Sequence, residues 1–109
     1  MNKPFFAIGA FVFVSTGAAA QDITTANYML QKCQERNTLM SAWCHGNVQA
    51  VGYLGSALPA PYKIYMPTGV SPEQSVRVVV QYLNARPQRW HEPFLALAVE
   101  ALAQTWPRR

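Results

Sequence analysis

Acidic residues, cysteine and histidine are scarce in this chain. Among 109 residues there are five Asp or Glu, two Cys and two His. A zinc site needs three or four protein ligands, and only His45 and His91 offer imidazoles, so the composition argues against a metal centre. There is also no Gly-rich phosphate-binding loop and no Gly-x-Ser-x-Gly motif. We therefore expect no metal, cofactor or phosphate chemistry.

A catalytic group is equally hard to find. Cys44 and His45 are adjacent, but neighbours on a helix point about 100° apart, which does not suit a nucleophile and its base. The acids fall on predicted exposed helix faces or in first turns: Asp22, Glu35, Glu73, Glu92 and Glu100. The sequence thus predicts a protein that binds a partner and has no catalytic residues.

No apolar run approaches the roughly 20 residues that span a bilayer. The longest, residues 5–14, follows Lys3 and precedes three alanines at 18–20. This order of a cation, a short apolar run and small residues is typical of a secretory signal peptide, here residues 1–20 with cleavage before Gln21. There is no Cys at the cleavage site, so the sequence does not indicate a lipid anchor. We expect an exported, periplasmic domain of residues 21–109 that does not insert into the membrane.

Two cysteines remain in the mature chain, Cys33 and Cys44. In an exported chain of this size such a pair predicts one disulfide, the alternative being two buried free thiols. On one continuous helix their Cα atoms would be about 16 Å apart. A disulfide needs roughly 7 Å or less, so the bond requires a turn between the cysteines, which we place at residues 36–38.

Apolar spacing predicts an all-α domain of four helices in two hairpins. The first helix starts at Thr24 or Thr25 and the second spans about 39–54, with Asn37 ending the first helix in a left-handed conformation and Thr38 capping the second. The predicted apolar stripe of the second helix is Met40, Trp43, Cys44, Asn47, Val48, Val51 and Leu54. Three glycines in and after that helix suggest close contact with another part of the backbone.

Residues 55–70 contain three prolines and are predicted to form a loop. Ser71 and Gln74 form a capping box around Pro72, which fixes the start of the third helix. That helix ends by about residue 85, and the fourth starts at residues 91–93. The stripe of the fourth helix is predicted to be Phe94, Leu97, Ala98, Ala101, Leu102 and Thr105.

The charge is mildly basic. The formal net charge is +4, which becomes +3 when Lys3 is removed with the signal peptide. The cations are scattered and do not form the stripe with interleaved aromatics that nucleic-acid binding requires. We therefore expect no nucleic-acid partner.

Two segments are candidates for contact with a protein partner, because Tyr, Trp and Arg are enriched in interfaces. The first is the turn 86–91 and the second is the loop 59–66. The candidate residues are Arg86, Gln88, Arg89, Trp90, His91, Tyr62 and Tyr65. In the alternative interpretation Trp90 packs under the second hairpin, His91 caps the last helix, and the loop covers the core.

Three segments in order resemble the Rap/Tai immunity proteins. They read MPTGVSPEQ (66–74), VVVQYL (78–83) and RPQRWH (86–91). The family pattern is a Pro-x-Gly-Val-Thr/Ser-x-x-Gln element, a Val-Val-x-Tyr-Leu helix and a Pro-x-x-x-His turn. Family members also have a helix with a Cys-x-Gly sequence, which Cys44 and Gly46 resemble. Many relatives carry two further cysteines, where this chain has Tyr65 and Arg108. Both of these cysteines are absent here, as expected if they pair with each other in the relatives. The resemblance therefore implies that Cys33 pairs with Cys44.

The resemblance implies a small periplasmic helical protein, associated with type VI secretion, that binds and blocks a peptidoglycan amidase effector. It also implies a homodimer. A protein of another class, a general periplasmic chaperone or stress-response binder without a cognate toxin, would share the helices and the disulfide. Such chaperones depend on many titrating groups, and this chain has few.

Overall fold

The structure, a computed structural model, describes residues 22–108. The predicted signal peptide and its cleavage site lie outside these residues. Four α-helices follow one another: α1 Ala26–Gln34, α2 Thr38–Leu54, α3 Pro72–Asn84 and α4 Phe94–Thr105. Single turns of 3-10 helix occur at Gly55–Ala57 and Pro87–Arg89. The predicted all-α fold of four helices is confirmed for the described part of the chain.

A disulfide joins α1 to α2. Cys33 and Cys44 are bonded, and their Cα atoms are 5.1 Å apart. Helix α1 ends at Gln34 and α2 begins at Thr38, so the chain reverses between the cysteines as the sequence required. The Cys44 side chain is completely buried, which places the bond against the core rather than on the surface.

The residues that start the first two helices differ in part from the prediction. Thr25 caps α1, its hydroxyl accepting a hydrogen bond from the Tyr28 N–H. Asn37 was expected to end α1 in a left-handed conformation, but its φ is −66° and its side chain caps α2 by accepting from the Leu39 N–H at 2.9 Å. Thr38 is therefore the first residue of α2 and not its cap. Both residue types are good caps, so the sequence did not decide between neighbours.

The start of α3 is as predicted. The Gln74 N–H donates to the Ser71 hydroxyl, and the Gln74 side chain accepts from the Ser71 N–H, both at 3.1 Å. Pro72 occupies the first turn, where its missing N–H costs no helical hydrogen bond. This capping box fixes the point at which the loop joins the second hairpin.

The four helices enclose one core. Its largest fully buried side chains are Phe94, Ile64, Leu83, Leu97, Leu102, Val48, Val79 and Cys44. Three predicted stripe residues are exposed instead. Trp43 is 36% exposed in the first half of α2, Leu54 is 63% exposed at the end of α2, and Thr105 is exposed with its hydroxyl donating to the Ala101 carbonyl. Leu54 and Thr105 are the last residues of their helices.

Glycine lets the loop approach α2 closely. A Cβ built on Gly55 would lie 2.5 Å from Cβ of Ile64, and the Ile64 N–H donates to the Gly55 carbonyl at 3.0 Å. A Cβ on Gly52 would lie 3.1 Å from Cε of Met66. Gly46 has no such neighbour. The expected approach of another backbone segment is thus confirmed at Gly55, where Ile64 enters the core, and is not found at Gly52 or Gly46.

The two hairpins are also joined by main-chain hydrogen bonds. The N–H groups of Ala26 and Asn27 donate to the carbonyls of Glu92 and Trp90, at 2.8 and 2.9 Å. The Phe94 N–H donates to the Thr24 carbonyl at 2.8 Å. The start of α1 is therefore fixed against the turn that precedes α4. Within residues 22–108 we find no helix with the length and apolar character needed to cross a bilayer.

Candidate partner-binding surface

The turn 86–91 connects α3 to α4 in a compact path. The Arg86 N–H donates to the Leu83 carbonyl at 2.9 Å. Trp90 is half-buried against the core, and its indole N–H donates to the same Leu83 carbonyl at 2.7 Å. Gln88 and His91 are exposed. His91 does not cap α4: Pro93 holds that position and offers no side-chain hydrogen bond.

Arg89 of this turn binds two carboxylates. Its Nε and Nη2 donate to the two oxygens of Glu92 at 2.6 and 2.8 Å. Its Nη1 and Nη2 donate to the two oxygens of Glu100 on α4 at 2.6 and 3.1 Å. Paired, forked contacts of this kind are the strongest geometry available to a guanidinium. Arg89 thus has its hydrogen-bonding capacity used within the molecule and holds the turn against α4.

Tyr82 and Glu100 extend this cluster to α3. The Tyr82 hydroxyl donates to Oε2 of Glu100 at 2.7 Å. Hydrogen bonds from Arg89 hold the pKa of Glu100 below its usual value, and the same guanidinium lowers the pKa of Glu92. Burial and then the hydrogen bond to Glu100 raise the pKa of Tyr82. All of these groups keep their ordinary charge states near neutral pH.

Arg86 lies on the outer side of the same cluster. Its guanidinium carbon is 3.7 Å from the centre of the Tyr82 ring, and Nη1 donates to the Tyr82 carbonyl at 3.1 Å. It forms no salt bridge with any residue of 22–108. A guanidinium stacked on an aromatic ring has a restricted orientation but keeps donors for another acceptor. Arg86 is therefore a preoriented cation without an intramolecular counter-ion in the described chain.

The loop 59–66 meets this region through Tyr62. Its side chain is 49% exposed and lines an open groove of about 300 Å³. The groove lies between the loop and α4, and its other lining residues are Leu58, Pro59, Ala96, Val99 and Glu100. Since Glu100 also binds Arg89, the groove connects the two segments that the sequence singled out.

Tyr65 lies apart from this groove. Its N–H donates to the Trp106 carbonyl at 2.9 Å, and its side chain lines a different cavity, between α2 and the start of α3. The structure therefore connects Tyr62 to Arg89 through Glu100, whereas Tyr65 lines a different cavity. We call Tyr62, Glu100 and the turn residues Arg86, Gln88, Arg89 and His91 the α4 surface.

Two members of the cluster were not among the sequence candidates. Glu100 was assigned to an exposed helix face, and Tyr82 was noted only as part of a motif. Tyr82 lies seven residues from Arg89, and Glu100 eleven. The sequence did contain a signal for the Arg89–Glu100 pair, because an Arg in the turn before a helix can reach acidic residues in that helix. Only the packing of α3 on α4 decides which acid it meets.

The described residues offer little for catalysis. No group of three or more His, Cys, Asp and Glu side chains is placed to hold a metal ion within them. The sulfur of Cys44 is in the disulfide, so it is not a free thiolate for His45 to activate. The Nδ1 atom of His45 instead lies 2.8 Å from the Ser41 carbonyl oxygen.

Comparison with known proteins decides the family. A protein-family model described as Rap1a immunity proteins matches residues 25–107, which includes all four helices and the whole α4 surface. The chain belongs to the Rap1a immunity protein family. The resemblance to Rap/Tai proteins is thereby confirmed. Neither the curated proteins nor the solved structures yielded a match. Membership of an immunity family indicates a role in binding a secreted toxic effector rather than in catalysis.

Proposed function

We propose that this Rap1a family member is exported to the periplasm and protects the cell by binding and blocking a peptidoglycan amidase delivered by type VI secretion. Family membership supports the immunity role. The signal-peptide pattern of residues 1–20 and the disulfide support export, since disulfides persist in oxidising compartments. The mature chain, residues 21–109, acts as one domain.

The observation that carries the choice of surface is the groove between Tyr62 and Glu100. The exposed Tyr62 ring lines this groove, and Glu100 of its wall binds Arg89 in the same turn that contains the stacked Arg86. A stable interface uses about 800 Å² from each partner, more than either segment offers alone. Together the turn and the loop form a continuous area on which the effector binds.

Charge indicates what the effector presents. Glu35 forms a salt bridge with Lys32, and Arg89 forms salt bridges with Glu92 and Glu100. The cations without a salt bridge in residues 22–108 are Arg36, Lys63, Arg77, Arg86 and Arg108. Asp22 and Glu73 also have no salt bridge within these residues, and the cluster of Arg89 with Glu92 and Glu100 has a net charge of −1. On the α4 surface Arg86 is therefore the cation available to contact a carboxylate of the amidase.

Inhibition requires no chemistry from this chain. An amidase is blocked when a rigid protein covers its substrate cleft, and the disulfide and main-chain bonds keep the α4 surface in a fixed shape. The family resemblance also leads us to propose a homodimer. Analytical ultracentrifugation of the mature chain tests the dimer: a single species of monomer mass over a hundredfold concentration range would rule it out.

Co-expression tests the function directly. Periplasm-targeted peptidoglycan amidases are expressed with and without the full precursor, and lysis is followed by optical density. Rescue from one amidase, with a complex that survives gel filtration, supports the proposal. Failure to rescue from any amidase, or broad suppression of client aggregation at low pH, contradicts it; the second result would indicate a chaperone.

Matched variants then test the surface. Arg86→Ala and Tyr62→Ala are expected to weaken the complex by about tenfold or more, as interface Arg and Tyr often do. Arg36→Ala is the control, because Arg36 is an exposed arginine without a salt bridge in residues 22–108 that follows the end of α1, whereas Ala26 at the start of α1 is bonded to the turn. Equal effects of Arg36→Ala and Arg86→Ala would place the binding surface elsewhere.

Export has its own test. Osmotic-shock fractionation followed by mass spectrometry is expected to find a periplasmic chain that begins at Gln21 and is two hydrogens lighter than the reduced form. A full-length cytoplasmic chain with two free thiols contradicts this part of the proposal and leaves the family assignment unaffected.

A further inference from the structure

A second concave site is lined by residues that the α4 surface does not include. It is a cavity of about 400 Å³ between the end of α2, residues 64–67 of the loop and the start of α3. Gly52 lies in its wall, where a Cβ would be 3.1 Å from Cε of Met66. Cavities of this size are in the range that holds small organic ligands.

The lining of this cavity is uncharged. Its polar side chains are Gln49, Tyr53, Ser56, Tyr65 and Ser75, and its apolar floor includes Ile64 and Met66. None of its lining residues is Asp, Glu, Lys, Arg or His. In a chain with many unpaired surface cations, an uncharged cavity favours a ligand that has no net charge but carries hydrogen-bonding groups.

Ser75 is a buried hydroxyl with spare hydrogen-bonding capacity. It is the one polar residue buried in the described chain, with 4% of its surface exposed. Its hydroxyl lies 3.4 Å from the Ser71 carbonyl oxygen and 3.7 Å from the Met66 sulfur. The contact with the Ser71 carbonyl is longer than the usual 2.5–3.0 Å between oxygens, and Ser75 is the donor in both contacts. Its oxygen accepts no hydrogen bond within the described residues, so it can accept one from a donor group of a ligand.

Tyr53 forms the rim. Its ring is 81% exposed, which is unusual for an aromatic side chain next to a cavity. Gln49 lies one helical turn earlier on the same face of α2. A flat ring beside an amide and hydroxyls matches a pyranose ring, whose C–H face stacks on an aromatic side chain while its edge forms hydrogen bonds.

We propose that this cavity binds an uncharged N-acetylated sugar. The acetamido methyl group packs on Met66 and Ile64, the acetamido N–H and carbonyl reach Ser75 and Gln49, and the pyranose face stacks on Tyr53. A peptide strand fits less well, because main-chain groups of the wall are already bonded internally: the Ile64 N–H to the Gly55 carbonyl and the Tyr65 N–H to the Trp106 carbonyl. This proposal does not depend on the amidase proposal.

Titration with defined sugars tests the ligand class. The disulfide-bonded mature chain is labelled with ¹⁵N and titrated with tri-N-acetylchitotriose, and amide shifts are followed by NMR. Shifts centred on residues 49–56 and 64–75 are expected, with saturation. Cellotriose, which has hydroxyls in place of acetamido groups, is expected to bind about tenfold more weakly, because it leaves the cavity's polar groups unmatched.

Variants test the location. Ser75→Ala is expected to weaken binding by about fivefold to tenfold and to keep the fold, since Ala is favoured inside helices. Tyr53→Ala is expected to weaken binding by about tenfold. Leu54→Ala is the control, because Leu54 is also exposed and follows Tyr53 in sequence but does not line the cavity.

Four results would overturn the proposal. They are no saturable shift at millimolar sugar, equal binding of cellotriose and the acetylated trimer, unchanged binding by Ser75→Ala and Tyr53→Ala, and preference for a neutral tripeptide such as trialanine over the sugar. The first would show that the cavity takes no such ligand, and the last would assign it to a peptide segment.

Discussion

Arg89 and Glu100 are eleven residues apart in sequence, yet two hydrogen bonds of 2.6 and 3.1 Å join them in the fold. Together with Glu92 this pairing compensates the charge of the turn that looked basic in sequence. Of the two arginines of the turn, Arg86 is the one with no carboxylate bound within residues 22–108. The two residues therefore have different functions: Arg89 fixes the turn, and Arg86 is available to a partner.

The carboxylates bound by Arg89 predict a loss of stability in acid. Because the pKa values of Glu92 and Glu100 are below the usual 4.5, their contribution is complete above that value and is lost as pH falls through the folded-state pKa. We expect the Tm of the wild type to fall between about pH 5 and pH 3 more steeply than that of Glu92→Gln/Glu100→Gln. Circular dichroism melting curves measure this, and parallel curves would show that the pairing has no net effect.

The raised pKa of Tyr82 predicts a loss of folding stability at high pH. Its folded-state pKa is above the usual 10.0, so the stabilisation by the neutral phenol is complete below that value and is lost as pH rises through the raised pKa. Tyr82→Phe keeps the ring under Arg86 but has no proton to lose. The variant is expected to be less stable than the wild type at neutral pH, and the difference should shrink in alkaline solution. A constant difference across the titration would contradict this.

Glycine substitutions should have opposite effects at two positions of similar backbone. Gly55→Ala puts a methyl group 2.5 Å from Cβ of Ile64, so we expect a loss of about 1–3 kcal/mol. Gly46→Ala meets no atom within 4 Å and should raise the free energy of unfolding by about 0.5–1 kcal/mol. Urea unfolding measures both. Equal effects would mean that the loop does not rest on α2 at Gly55.

The cap of α2 distinguishes two neighbouring residues. Asn37→Ala removes the acceptor of the Leu39 N–H and should cost about 1 kcal/mol. Thr38→Ala is the matched control, since Thr38 is within the helix and is expected to change stability by less than about 0.5 kcal/mol. A larger loss for Thr38→Ala in thermal unfolding would restore the original assignment of the cap.

The disulfide prediction uses the wild type as its own control. Cys33→Ala/Cys44→Ala should lower the free energy of unfolding by about 2–3 kcal/mol, because the bond closes a short loop in the unfolded chain. Reduced wild type is expected to unfold at nearly the same urea concentration as the double variant. If reduction has no effect on the midpoint, the bond contributes nothing to stability.

Local signals in the sequence predicted the helices well. Ser71, Pro72 and Gln74 fixed the start of α3 because every group in a capping box lies within four residues. The two cysteines predicted the first hairpin, since a covalent bond forbids a continuous helix between them. The cap of α2 was predicted at Thr38 instead of Asn37. Both residue types cap helices well, so the choice between these neighbours depends on where α1 ends.

The proposed binding surface was harder to predict, because its geometry depends on contacts between distant residues. The binding of Arg89 to Glu100 and the separation of Tyr62 from Tyr65 both follow from how the loop and α3 pack on α4. The uncharged cavity has Gly52 and Met66, fourteen positions apart in the chain, in the same wall. Spacing within one helix carries no information on such pairs.

Main-chain bonds hold the turn 86–91 to the start of α1, through Ala26 to Glu92 and Asn27 to Trp90. Amide and carbonyl groups are present whatever side chain a residue carries. The exposed positions Gln88 and His91 can therefore be exchanged while the path of the backbone stays the same. An immunity protein built this way can follow a changing toxin by altering its surface chemistry alone, without remodelling its scaffold.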